Sequence, residues 1–246
     1  MIIKSIEPHL LSCPLPEPKI YPFQGGRRTI YKRDAMVVRI ETDDGMTGYA
    51  PGPASMDVVH KIEKEIVPQL TGQKIMDPSH FVDDQVDELG DSIWSAAGAV
   101  EVALFDLWGK ANQCSVTDFF GGRKQETLAC YGSAGMYQSP EKYAEEAAAV
   151  CELGFEAYKF RPGLGPAEDL RTVELMREAV GPEVGLCLDA HTWWRMGDDS
   201  YSPGIVELLA EAIAMHEVTW LEEPLTVENR DGYARLKAIS YIDIAA

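Results

Sequence analysis

The spacing of apolar residues changes character near residue 125. Beyond it, short β-branched or aromatic runs at 128–134, 155–161, 184–189 and 218–222 alternate with amphipathic stretches at 139–153, 166–180 and 201–215. A fifth run starts at Tyr241 and reaches Ala246. Strand and helix in strict alternation predict parallel strands buried on both faces, as in a (β/α) TIM-type barrel. Ser139 followed by Pro140 marks a helix start. The first half does not alternate. Strands are predicted at Ile2–Pro8, Ala35–Thr42 and Thr47–Ala50, the last two joined by the Asp43-Asp44-Gly45-Met46 turn. Helices follow at 55–70, 78–89 and 93–112, and the Gly121-Gly122 pair is expected to end the long one. Residues 1–125 therefore read as an α+β capping domain, and residues 126–246 as the first half of a barrel domain.

Three of the later apolar runs end in polar clusters: Lys159-Phe-Arg161, Asp189-Ala-His191 and Glu222-Glu223-Pro224. In a parallel sheet the carboxyl ends of all strands open on one side, so Lys159, Arg161, Asp189, His191 and Glu222 are expected to converge on one mouth. Residues two apart share a strand face, which pairs Lys159 with Arg161 and Asp189 with His191. Two carboxylates from separate strands make a hard-oxygen site suited to Mg²⁺. Taken singly, each of these side chains is more often a solvated strand end; three consecutive strand ends with this charge order weigh against that. Glu223 falls on the opposite face, unless a bulge exchanges it with Glu222. The positive charge of Arg161 is expected to lower the pKa of Lys159, while Arg161 itself stays protonated.

With these motifs in view, the sequence resembles the enolase superfamily, in its mandelate racemase and muconate lactonizing branch. Lys-x-Arg stands at 159–161 where Lys-x-Lys is common, with Asp-x-His at 189–191 and Trp-Leu-Glu-Glu-Pro at 220–224. The resemblance implies Mg²⁺ held by Asp189 and Glu222, and abstraction of a proton next to a carboxylate through an enediolate. It implies that His191 protonates a departing hydroxyl, as in sugar-acid dehydratases, with racemisation, epimerisation or cycloisomerisation as the alternative. The segment Tyr21–Tyr31, a surface loop by composition, would reach over the barrel mouth, where Arg27 or its neighbour Arg28 could meet a substrate carboxylate. The lowered pKa would favour the neutral, basic form of Lys159 as a catalytic group. Arg161, in place of the usual basic lysine, would bind or polarise the substrate and leave proton abstraction to a residue on strands beyond the fifth. A third acidic ligand is also expected past Ala246. Only 121 residues follow residue 125, against about 250 for a complete eightfold barrel. An inactive scaffold or fragment is accordingly the rival from another class, and an open sheet edge predicts self-association into a homo-oligomer.

Charge narrows the partners. A formal net charge of −18 and a pI near 4.6 disfavour nucleic acid and anionic membranes, leaving a small-molecule carboxylate that needs a local positive pocket. No apolar run approaches the roughly 20 residues of a membrane span, which predicts a cytoplasmic protein. The five cysteines are scattered without a Cys-x-x-Cys pair and read as reduced, mostly buried residues. Gly163-Leu-Gly-Pro lacks the spacing of a phosphate loop and reads as a connection to the next helix.

Overall fold

The computed structural model describes residues 1–239 and 242–246. Its contacts divide the chain into two compact units, Met1–Pro18 with Tyr31–Glu126, and Lys19–Ile30 with Thr127–Ala246. The contiguous division at residue 125 is therefore amended in one respect, because residues 19–30 group with the second unit.

A three-stranded sheet has the order β1 (Ile3–Phe23), β2 (Gly26–Thr42), β3 (Thr47–Gly52), and the first unit is built on it apart from residues 19–30. β2 and β3 pair antiparallel, with Glu41 opposite Thr47, and Gly45 takes the positive φ that the turn between them requires. The expected long loop at 21–31 is replaced by two extended strands that meet at a turn of Gln24 and Gly25. α1 (Met56–Lys61) runs through a π-helical segment, Ile62–Ile66, into α2 (Val67–Leu70), and α3 (Phe81–Leu89) and α4 (Trp94–Asn112) follow. α4 ends at Gln113, which is left-handed; the Gly121-Gly122 pair instead follows the short α5 (Val116–Phe119). Met36, Val38 and Ile40 of β2 pack with Ala96, Val100, Ala103 and Leu107 of α4 in one apolar core. The small residues of that face allow a close approach: a Cβ on Gly48 would lie 2.3 Å from the Ala103 carbonyl oxygen.

The second unit alternates β4 (Gly132–Met136), α6 (Pro140–Glu152), β5 (Ala157–Arg161), α7 (Pro166–Val180), β6 (Gly185–Asp189), α8 (Pro203–Ala214), β7 (Val218–Glu222), α9 (Arg230–Ile239) and β8 (Asp243–Ala245). The five strands lie side by side in chain order, and every neighbouring pair is parallel. β4 starts later than expected. Its pairing begins with Gly132 opposite Tyr158, so residues 128–130 lie beyond the start of β5 at Ala157. The last strand begins at Asp243, and Tyr241, its expected first residue, lies outside the described residues. α6 and α8 open in the same way, with Ser139 accepting from the Lys142 N–H and Ser202 from the Ile205 N–H, each followed by proline.

Strand alternation sorts the two faces of this sheet. Tyr158, Phe160, Leu186, Leu188 and Leu221 join Tyr143, Val173, Met176 and Leu209 of the helices in the core. The residues between them, Lys159, Arg161, Cys187, Asp189, Trp220 and Glu222, occupy the other face. Of the five cysteines only Cys187 is buried, and all are free; the expectation that most would be buried does not hold. No helix among the described residues is long and apolar enough to cross a membrane.

One buried acid sits within this core. Asp169, in the first turn of α7, is 1% exposed. Burial outweighs its hydrogen bonds and raises its carboxyl to about 6. A raised folded pKa means that the native state holds this proton more tightly than the unfolded chain. The associated stability is therefore complete below the ordinary carboxylate range and lost as pH rises through about 6. Urea midpoints of the wild type and Asp169→Asn should diverge across that window and run parallel outside it. Parallel profiles throughout would contradict the assignment.

Candidate active site

The site forms where β5, β6 and β7 end together. Asp189 and Glu222 are register partners on adjacent parallel strands, and Lys159 is level with Cys187, two residues before Asp189. From that lower position the Lys159 ammonium rises between the two acids, with Nζ 2.6 Å from Glu222 Oε1 and 3.2 Å from Asp189 Oδ2. Arg161 reaches the same Asp189 oxygen through Nε at 3.2 Å. Its remaining nitrogens donate to the Ala134 carbonyl at 3.3 Å and the Ser133 hydroxyl at 3.4 Å. The other Asp189 oxygen lies 2.7 Å from His191 Nδ1. Trp220 Nε1 donates to Glu222 Oε2 at 3.2 Å. The five side chains expected to converge are thus joined in one cluster of ion pairs and hydrogen bonds.

Lys159 and Asp189 are nearly enclosed, at 7% and 5% exposure. For Asp189, burial pushes the pKa up, but the hydrogen bond and charge of His191, with the charge of Lys159, more than offset it and hold the carboxyl at about 2. Lys159 departs from the sequence expectation. Burial again disfavours its charge, yet the bonds and charges of Glu222 and Asp189 win, and its pKa is raised rather than lowered. Two carboxylates within 3.2 Å outweigh one guanidinium that is itself turned toward Asp189.

Glu222 and Glu223 are distinguished by the backbone. Glu222 ends β7 with its side chain on the polar face, whereas Glu223 takes a φ of 46°, donates its N–H to the Ala245 carbonyl and accepts from Trp194 Nε1. The donor set fits Mg²⁺ as two of its ligands: Asp189 and Glu222 supply hard carboxylate oxygens that already share one cationic centre. Among the described residues, no group of three His, Cys, Asp or Glu side chains could hold a metal ion by itself.

Arg27 is not brought into this cluster. It is exposed on β2 near the hairpin turn and, among the described residues, its side chain makes no hydrogen bond or ion pair. The contacts of the turn are made by neighbours that sequence reasoning passed over. Gln24 donates its N–H to the Gly163 carbonyl at 2.7 Å and its Nε2 to the Asp199 carbonyl at 3.1 Å. The Phe23 ring centre lies 5.3 Å from that of Tyr137. Trp193 is fully buried in the core, while Trp194 lines a cavity of about 400 Å³ with Arg195, Glu223, Arg230 and Tyr233.

Comparison with known proteins agrees with this geometry. Residues 11–121 match the family model of the mandelate racemase / muconate lactonizing enzyme N-terminal domain, and residues 142–246 match that of the enolase C-terminal domain-like family. The chain is 29% identical to D-galactarolactone cycloisomerase of Agrobacterium fabrum, over 100% of this chain and 64% of that protein. It is 28% identical to L-rhamnonate dehydratase of Saccharopolyspora erythraea, over 82% of this chain and 50% of that protein. Racemases and epimerases are among the further relatives. The crystal structure of 3,6-anhydro-D-galactonate cycloisomerase from Zobellia galactanivorans superposes with a TM-score of 0.83 at 27% identity, covering 99% of this chain and 64% of that one. The chain thus spans 50% to 64% of the length of these relatives. It belongs to the mandelate racemase / muconate lactonizing enzyme family of the enolase superfamily.

Proposed function

We propose that these residues form the metal- and carboxylate-binding side of a site that removes the proton α to the carboxylate of a hydroxylated acid, and that the reaction is dehydration of a sugar acid. The observation that carries this reading is the meeting of Lys159, Arg161, Asp189, His191 and Glu222 at three consecutive strand ends. A Mg²⁺ held by Asp189 and Glu222 would supply Lewis-acid stabilisation of a substrate carboxylate.

The rest of the chemistry belongs to the side chains. Removing the α-proton places a second negative charge on the substrate, which is prohibitive unless fixed positive charge is already beside its oxygens. Lys159, kept charged by its carboxylate neighbours, and Arg161 provide that charge. Arg161 stays protonated and does not take the proton, and the base is placed on a residue beyond the fifth strand. His191 has Nδ1 occupied by Asp189, which fixes the ring and leaves Nε2 to protonate the departing hydroxyl. The C–H bond at the α-carbon and the C–O bond at the β-carbon break, and the net change is loss of one water.

In a form that also carries the strands expected past Ala246, His191→Asn should abolish dehydration while part of the exchange of the α-proton with solvent deuterium remains, because His191 acts after proton abstraction. Incubation of sugar acids with Mg²⁺ in D₂O, followed by mass spectrometry, separates the steps. Loss of both activities in a folded, metal-binding variant would contradict the division of labour. Cycloisomerisation is the second reading, favoured by the relative matched over 100% of this chain; a product that retains the substrate's mass would support it instead.

A further inference from the structure

Asp169 lies outside the cluster just described, yet it joins the loops that follow β5 and β6. Its Oδ1 accepts the Leu164 N–H at 2.9 Å, from the loop after β5. Its Oδ2 accepts Trp193 Nε1–H at 2.8 Å and the Tyr201 hydroxyl at 2.7 Å, both from the loop after β6. That second loop also closes on itself, with the Trp193 N–H bonded to the Ala190 carbonyl and the Tyr201 N–H to the Trp193 carbonyl. His191 sits inside the closure, two residues before Trp193. The carbonyls gripped by Gln24 of the hairpin turn, those of Gly163 and Asp199, belong to the same two loops.

The Leu164 N–H and the Trp193 indole can only donate and the Tyr201 hydroxyl donates here, so both oxygens of Asp169 act as acceptors. An ionised carboxylate meets that demand, whereas an amide would turn its NH₂ toward a donor. Packing alone does not account for the choice, because burying a carboxylate costs stability that an apolar side chain would not.

We propose that Asp169 is a positioning residue of the site: its buried carboxylate locks the loop carrying His191 to the loop after β5, and so sets both the place of His191 and the seat of the hairpin turn. The role given to His191 rests on the function proposed above. Asp169 does not touch the site cluster; it acts through Trp193, Tyr201 and Leu164.

The test compares Asp169→Asn with Tyr201→Phe, which removes one donor and keeps the ring, and with Trp193→Phe, which removes the other side-chain donor and leaves a smaller aromatic ring. Hydrogen exchange should show lost protection at the amides of Trp193, Tyr201 and Gln24, with the amides of β5 and β6 still protected. In dehydration assays with Mg²⁺, kcat should fall on the order of 100-fold, the cost of a misplaced reacting group, with KM and α-proton exchange much less affected. Even loss of protection throughout the second unit, or parallel decline of dehydration and exchange, would overturn the proposal, as would unchanged protection in all three variants. If a form that also carries the strands expected past Ala246 dehydrates no sugar acid, the function proposed above fails by itself, and the hydrogen-exchange pattern still decides the positioning role.

Discussion

Lys159→Met is expected to lower the stability of the protein by about 3 kcal/mol in the absence of divalent ions, the lower end of the cost of removing one partner from a buried ion pair. The substitution leaves Asp189, at 5% exposure, and Glu222 as register partners without the ammonium between them. Glu222 keeps some contact with solvent, which holds the cost to the lower end. Added Mg²⁺ should then raise the melting temperature of the variant more than that of the wild type. It binds the folded state through the same two acids and no longer competes with Lys159. A variant as stable as the wild type, or one indifferent to Mg²⁺, would show that the two acids do not depend on a shared cation.

Phe160→Ala should cost about 3–5 kcal/mol, within the range for truncating a buried aromatic residue. Phe160 is fully buried between Lys159 and Arg161 in sequence, but on the opposite face of β5. Its ring packs edge-on to Tyr143 at 5.8 Å and parallel to Tyr158 at 6.1 Å. It therefore anchors the strand that presents both cations. Chemical denaturation measures the loss, and a cost below about 1 kcal/mol, as for an ordinary surface position, would contradict the face assignment.

Much of this architecture is legible in the sequence because strand geometry is rigid. A period of two places Lys159 and Arg161 on one face and Phe160 on the other, and parallel strands bring Asp189 and Glu222 level. What escaped has equally physical causes. Pro14, Pro16, Pro18 and Pro22 argue against a strand through 10–23, yet β1 is the edge of its sheet, where a residue without an N–H is tolerated. Asp169 looks like an ordinary acid in the first turn of a helix; its partners Trp193 and Tyr201 lie 24 and 32 residues further along, a separation no local pattern spans. The charge state of Lys159 was misread because Arg161 is its near neighbour in sequence, whereas the acids that prevail arrive from adjacent strands.

The most direct test of the site is exchange of the α-proton of sugar acids with D₂O, followed by NMR, with and without Mg²⁺, in a form that also carries the strands expected past Ala246, compared with its Asp189→Asn variant. The assignment of Asp189 and Glu222 to a shared divalent ion predicts exchange that requires Mg²⁺, stops on chelation and is lost in Asp189→Asn. Exchange that persists with chelator present and survives Asp189→Asn would contradict it.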